Sequence, residues 1–264
     1  MSKLLDRLDR ITRGPVRALG FAPAAARETV PTMAVVAQVH GARAKDAQEA
    51  LEAGADAVIV AVTGEDKQPP LAPEGAPWGA EVQHLDKAQA DILRGQGCDF
   101  LVFGVENTLV EALDEGDCTR VLRISPTLED TQMRGIEDLP VDVVVVTKPG
   151  PEGPLSLVHL LAISNVRSAT GRYLLLEWDA PLSGRELEQL RDMGVDGILV
   201  KVEGDDAPKT AVAALKERIA ALPPRRPRSD KDGRAPILPR LSLEGAGPGR
   251  QRQPEPDEEE EEDY

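Results

Sequence analysis

Four stretches of the chain repeat one short pattern: a turn, an aspartate, then a run of apolar, mostly β-branched residues. They are Gly54-Ala55-Asp56-Ala57-Val58-Ile59-Val60, Gly97-Cys98-Asp99-Phe100-Leu101-Val102-Phe103, Pro140-Val141-Asp142-Val143-Val144-Val145-Val146 and Gly194-Val195-Asp196-Gly197-Ile198-Leu199-Val200. In three of them a glycine stands where a helix would end, the position that favours a left-handed residue. Apolar runs without polar alternation mark strands covered on both faces, as in parallel sheets. A unit that places a helix end before each such strand predicts alternating β and α elements.

Three further strands are expected at residues 33–40, 120–125 and 173–178, and a weaker one at residues 16–21. Between them run helical faces of period 3.6: Val82, Leu85, Gln89, Ile92 and Leu93; Leu187 and Leu190; Ala211, Leu215, Ile219 and Leu222. Ser183 and Glu186 have capping-box spacing, and Pro208 suits a helix start. An opening helix with Leu4, Leu5, Leu8 and Ile11 on one side is expected to cover the floor of the fold or a partner subunit. Seven or eight β–α units in about 220 residues fit a (β/α)8 barrel. The alternative is an open doubly wound parallel sheet, whose strands look alike in sequence. No Gly-x-Gly-x-x-Gly or P-loop follows any strand.

Composition changes at Pro223. Residues 223–264 hold eight prolines, a basic block at Arg225, Arg226, Arg228, Lys231 and Arg234, and a final acidic run. A barrel domain at 1–222 and a disordered, charge-blocked tail at 223–264 are therefore expected. The tail has eight basic and eleven acidic residues, −3 of the chain's −15, which leaves −12 on the body. That charge argues against nucleic acid and anionic membrane surfaces as partners. Two cysteines, Cys98 and Cys118, lack metal or redox spacing, and no long apolar run or signal-peptide pattern is present. A cytoplasmic protein without cofactor or metal is the expectation.

Strand parity selects the candidate site. Five residues after each repeat aspartate stand Ala61, Gly104, Thr147 and Lys201, on the face opposite the β-branched set. By the same parity Gln38 pairs with His40, Arg123 with Ser125, and Glu177 with Asp179. If these face the lumen, Gln38, His40, Arg123, Thr147, Glu177 and Lys201 converge at the C-terminal mouth, where barrel enzymes act. Arg123, with Gln38, Thr147 and Ser125, would hold an anion, Glu177 or His40 would move a proton, and Lys201 would add charge or form a Schiff base. The proline-rich loop at residues 63–79 carries Trp78, which would close over a ligand as a lid or pack on the body. The repeat aspartates precede their strands, so turn-forming roles at the barrel's bottom are expected for them.

The Gly-x-Asp-apolar repeat resembles the aldolase-type (β/α)8 barrel superfamily, loosely its ribulose-phosphate-binding branch, over residues 33–222. The resemblance implies a parallel barrel and, in that branch, phosphate held by glycine-rich loops after the last two strands. The matching segments here, Glu177-Trp178-Asp179-Ala180-Pro181 and Lys201-Val202-Glu203-Gly204-Asp205-Asp206, are not glycine loops. Class I aldolases of the superfamily carry a Schiff-base lysine at the end of the sixth strand, which implies Lys148 as a second candidate. The expected function is a lyase- or isomerase-type enzyme for a small carboxylated or phosphorylated metabolite. The alternative is a non-catalytic binding or scaffold barrel, a homo-oligomer or one that meets a protein partner through its tail.

Overall fold

The computed structural model describes residues 2–13, 31–40, 44–62, 76–113, 118–150, 153–202 and 207–223. Eight parallel strands close a barrel: β1 (Ala34–His40), β2 (Ala57–Val62), β3 (Trp78–Val82), β4 (Phe100–Phe103), β5 (Thr119–Ile124), β6 (Val143–Val146), β7 (Tyr173–Glu177) and β8 (Gly197–Val202), with β8 pairing back onto β1. The helices are α1 (Lys3–Arg13), α2 (Ala44–Glu52), α3 (Lys87–Gly95), α4 (Asp130–Gly135), α5 (Leu157–Ala169), α6 (Gly184–Asp192) and α7 (Ala207–Ala220). Closure removes the open-sheet alternative. No helix among the described residues is long and apolar enough to cross a membrane.

The eighth strand is β3, a segment expected to be the end of a loop and the start of a helix. Residues 16–21, the strand anticipated there, lie outside the described residues, as does the tail from residue 224. Val82 therefore belongs to a strand, and the helix that follows starts only at Lys87. Asp86 caps that helix, its carboxylate accepting from the Gln89 N–H. The Ser183–Glu186 capping box forms as expected at the head of α6.

The repeat aspartates now have a shared mechanical role. The carboxylate of Asp56 accepts from the Val35 N–H at 2.8 Å, that of Asp142 from the Arg120 N–H at 2.9 Å, and that of Asp196 from the Leu174 N–H at 3.0 Å. In each case the aspartate's own N–H donates back to the carbonyl of the same residue. One short side chain thus fixes the start of a strand against its predecessor and satisfies a backbone donor that burial would otherwise orphan. Gly54 and Gly194, at φ 101° and 98°, end the preceding helices in the left-handed region open to glycine. Asp196 is buried, so Asp196→Ala should cost about 2 kcal/mol by leaving the Leu174 N–H unpaired. Urea unfolding checks this, and an unchanged midpoint would remove the aspartate from the account.

Asp99 does something different. Its carboxylate accepts from the N–H groups of Lys3 and Leu4 and from the Ser2 hydroxyl, each at 2.8 Å, and so caps α1 from across the chain. Arg7 reaches Asp56 at 3.1 Å, and the Tyr173 hydroxyl donates to Asp9. These contacts seat α1 under the barrel. Leu4, Leu8 and Ile11 join Ala34, Val36, Ala57, Ile59, Phe100, Val102, Val121, Val143, Val145, Leu175 and Leu199 in one apolar cluster that fills the lumen. The other parity set, including Val58, Val60, Val144, Val146, Ile198 and Val200, packs in a second cluster with residues of the surrounding helices.

Strand register sorts the lumen into layers drawn alternately from even and odd strands. Above Ala34 and Thr119 lie Ala57, Phe100, Val143 and Gly197, then Val36, Gly79, Val121 and Leu175, then Ile59, Val102, Val145 and Leu199. Phe100 is the single large side chain of its layer. A Cβ on Gly79 would stand 2.2 Å from its ring, so a glycine at this place in β3 leaves the space the ring occupies. Gly79→Ala should cost about 1–3 kcal/mol through overpacking, read by the same unfolding measurement.

Candidate functional site

The next layer up changes character. Its four members, all from odd strands, are Gln38 on β1, Glu81 on β3, Arg123 on β5 and Glu177 on β7. Above it stand Ala61, Gly104, Thr147 and Lys201 from the even strands: three small or medium residues and one lysine. Chain alternation alone brings these groups together at the C-terminal ends of their strands.

Arg123 is the hub. Its Nε lies 3.1 Å from Glu81 Oε1, its Nη1 lies 3.1 Å from Glu177 Oε2, and its Nη2 donates to Gln38 Oε1 at 2.9 Å. The Gln38 amide donates to the other oxygen of Glu81 and closes a ring. Lys201 Nζ meets Glu177 Oε1 at 2.6 Å from the mouth side. Two cations and two carboxylates therefore cancel. Burial of this group is tolerable only because of that pairing, since Gln38 and Glu177 are 2% and 4% exposed. The pairing is not saturated in hydrogen bonds: Arg123 Nε and Glu177 Oε2 make charge contacts but no well-aligned hydrogen bond.

Glu81 holds its proton above the ordinary glutamate value of 4.5. Burial is the main cause, helped by the nearby Glu177 charge, and Arg123, His40 and Lys201 oppose it without cancelling it. Since the folded chain binds this proton more tightly than the unfolded chain, Glu81 favours folding below 4.5 and loses that contribution as pH rises through its folded value. The Lys201 ammonium is stabilised, chiefly by its hydrogen bond to Glu177, and its pKa lies above the ordinary 10.5. A Schiff base needs the neutral amine, so of the two roles expected for Lys201 the contact to Glu177 favours that of a positive charge.

The remaining candidates fall in different places. His40 ends β1 and is exposed at the rim. Thr147 is half-buried just above Arg123, and its N–H donates to Ile124 O at 3.0 Å. Ser125 is exposed and shares a 2.7 Å hydrogen bond with Thr127 in its own turn. Lys148 does follow the sixth strand, but only because β3 replaces residues 16–21 in the count. Its side chain belongs to the outer wall, with Nζ 5.1 Å from the centroid of the Trp178 ring. His159 lies edge-on to the same ring at 5.1 Å. Of the two roles expected for Trp78 the structure shows packing on the body and not a lid: it is 3% exposed and held by β3 in the outer apolar cluster.

Glu81 is the residue sequence reasoning missed. Its signal was present in parity: Trp78, Ala80 and Val82 form the outward set, which leaves Gly79 and Glu81 for the lumen.

No protein-family model and no curated protein matches the chain. Solved structures do. The aminoacrylate-bound form of tryptophan synthase from M. tuberculosis aligns at a TM-score of 0.58 and 11% identity, over 83% of this chain and 100% of that one. The open form with BRD0059 bound aligns at 0.54 and 12%, over 71% and 93%. A chain of the Amycolatopsis orientalis BexX/CysO complex aligns at 0.50 and 19%, over 70% and 88%. At such identities the likeness is one of fold: the chain is a (β/α)8 barrel.

Proposed function

We propose that the barrel mouth binds a small anionic metabolite and carries out proton-transfer chemistry of the lyase or isomerase kind. The observation that carries this is the pair of carboxylates in one layer, joined through Arg123. One of them, Glu81, is biased toward its protonated form by burial, and a general acid or base needs its pKa displaced toward working pH. Lys201 and Arg123 supply the positive charge for the anion, and the small side chains of Ala61 and Gly104 leave the level above them uncrowded. Glu177 orients both cations at 2.6 and 3.1 Å. His40 at the rim is a second proton carrier within reach of solvent. The fold likeness to an enzyme, tryptophan synthase, fits a catalytic reading.

A second reading has an observation of its own. Every charge in the layer is already partnered inside the chain, as in a structural network that fills a non-catalytic binding barrel. A thermal-shift screen of the full chain against small carboxylates and phosphate esters separates the two, because a ligand of the native state raises the melting temperature. The enzyme reading expects at least one stabilising anion, with the shift lost in both Lys201→Ala and Glu177→Gln. Binding and turnover untouched in both variants would sink it.

A further inference from the structure

The charge count of the mouth says what class of anion it can take. Arg123 and Lys201 balance Glu81 and Glu177, so the closed ring has no charge to offer an incoming anion. An anion entering this partly dry place must displace a negative group or bring compensation with it. Glu81 is the group suited to yield. Its contact to Arg123 Nε lacks hydrogen-bond alignment, and with Gln38 it covers the edge of the guanidinium formed by Nε and Nη2. That edge is the one that grips a carboxylate through two parallel N–H donors. Glu177, by contrast, is clamped by two cations and is the more buried of the pair.

We infer that the mouth takes a monoanionic carboxylate, and that one proton is taken up onto Glu81 as the ligand replaces it on Arg123. This deepens the anion-site reading above and rests on it. The balance is simple: a proton from solvent neutralises Glu81, the four groups then carry +1, and one carboxylate returns them to zero. A phosphate dianion would leave −1 in the same place. The groups facing Glu81 among the described residues support the assignment: Gln38 and His40 from β1, Arg123 from β5, Glu177 from β7 and Lys201 from β8. Its neighbours on β2 and β4, Ala61 and Val102, are uncharged. Burial already disposes Glu81 toward the protonated form.

The test is an amide chemical-shift titration of the full chain with L-lactate, sulfate, which stays a dianion over the range, and the neutral analogue lactamide, between about pH 5 and 8. Uptake of one proton makes the lactate association constant fall about tenfold per pH unit once Glu81 is ionised in the free protein. Sulfate should bind more weakly than lactate throughout, and lactamide not detectably. Glu81→Gln should bind lactate without that pH dependence. Lactate binding that is flat with pH in the wild-type chain overturns the proton linkage and leaves the anion site standing. Sulfate binding tighter than lactate overturns the monoanion class. If neither anion binds at any pH, the anion site and this inference fall together. The wild-type titration decides the matter even if a variant fails to fold.

Discussion

Leu8→Asp is expected to destabilise the barrel by at least about 4 kcal/mol, a cost set by an unpaired carboxylate forced into apolar surroundings. Leu8 is fully buried, between Leu4 and Ile11 on the face that α1 turns into the lumen. A barrel interior is a packed core, and here the layers of the strands do not close it at the bottom by themselves. Ala34, and Ala57 and Gly197 in the layer above it, are small and leave a gap that the leucines of α1 occupy. Leu8→Ala, which only empties space, should cost roughly 2–5 kcal/mol. Arg10→Ala, on the exposed side of the same helix, should stay within about 0.5 kcal/mol. Urea unfolding of the three variants ranks them, and at this chain size the aspartate variant should melt roughly 10 °C or more lower. Equal midpoints for Leu8→Asp and Arg10→Ala would mean that α1 is an appendage and the lumen floor is sealed some other way.

The floor was half-legible in sequence, and the reason is instructive. The apolar stripe of Leu4, Leu8 and Ile11 announced that α1 buries one face, but left open against what; the carboxylates that fix it, Asp99 as a cap and Asp56 through Arg7, are some 95 and 49 positions away. The repeat strands were legible because one local device, an aspartate gripping the strand before it, recurs in order. Strand β3 was hidden because it lacks that device and has only Gly79 and Glu81 for its lumen positions. A strand whose inward residues are a glycine and a glutamate has no apolar alternation to read. Missing β3 meant missing Glu81, and with it the ring around Arg123. Parity still placed Gln38, Arg123, Glu177 and Lys201 on one side, since alternation along a strand is fixed by the backbone. It said nothing of protonation. The ammonium of Lys201 follows from a 2.6 Å contact to Glu177, a neighbour across the β7–β8 seam that no single-strand pattern shows.

Arg123→Ala is the second substitution with a large expected effect, about 3–5 kcal/mol, because it strands Glu81 and leaves Glu177 to Lys201 alone rather than because it deletes three contacts. Arg123, Glu81 and Glu177 side chains are 18%, 19% and 6% exposed, so water cannot replace the guanidinium fully. The origin of the cost can be checked through pH. Without Arg123 both carboxylates lose their shared cation and repel each other, so the folded pKa of Glu81 should rise further and its protonation should relieve the strain. The stability gap between wild type and Arg123→Ala is therefore expected to be widest near neutrality and to narrow as pH falls toward the carboxylate range. Glu81→Gln keeps a hydrogen-bonding group opposite Gln38 and Arg123 and removes the carboxyl that burial already favours neutral. It should cost far less, and combined with Arg123→Ala it should recover part of the loss, which a double-mutant cycle measures. A gap of the same size at about pH 5 and about pH 8 would show that Arg123 acts by packing its stem, and the electrostatic account of the mouth would then have to be abandoned.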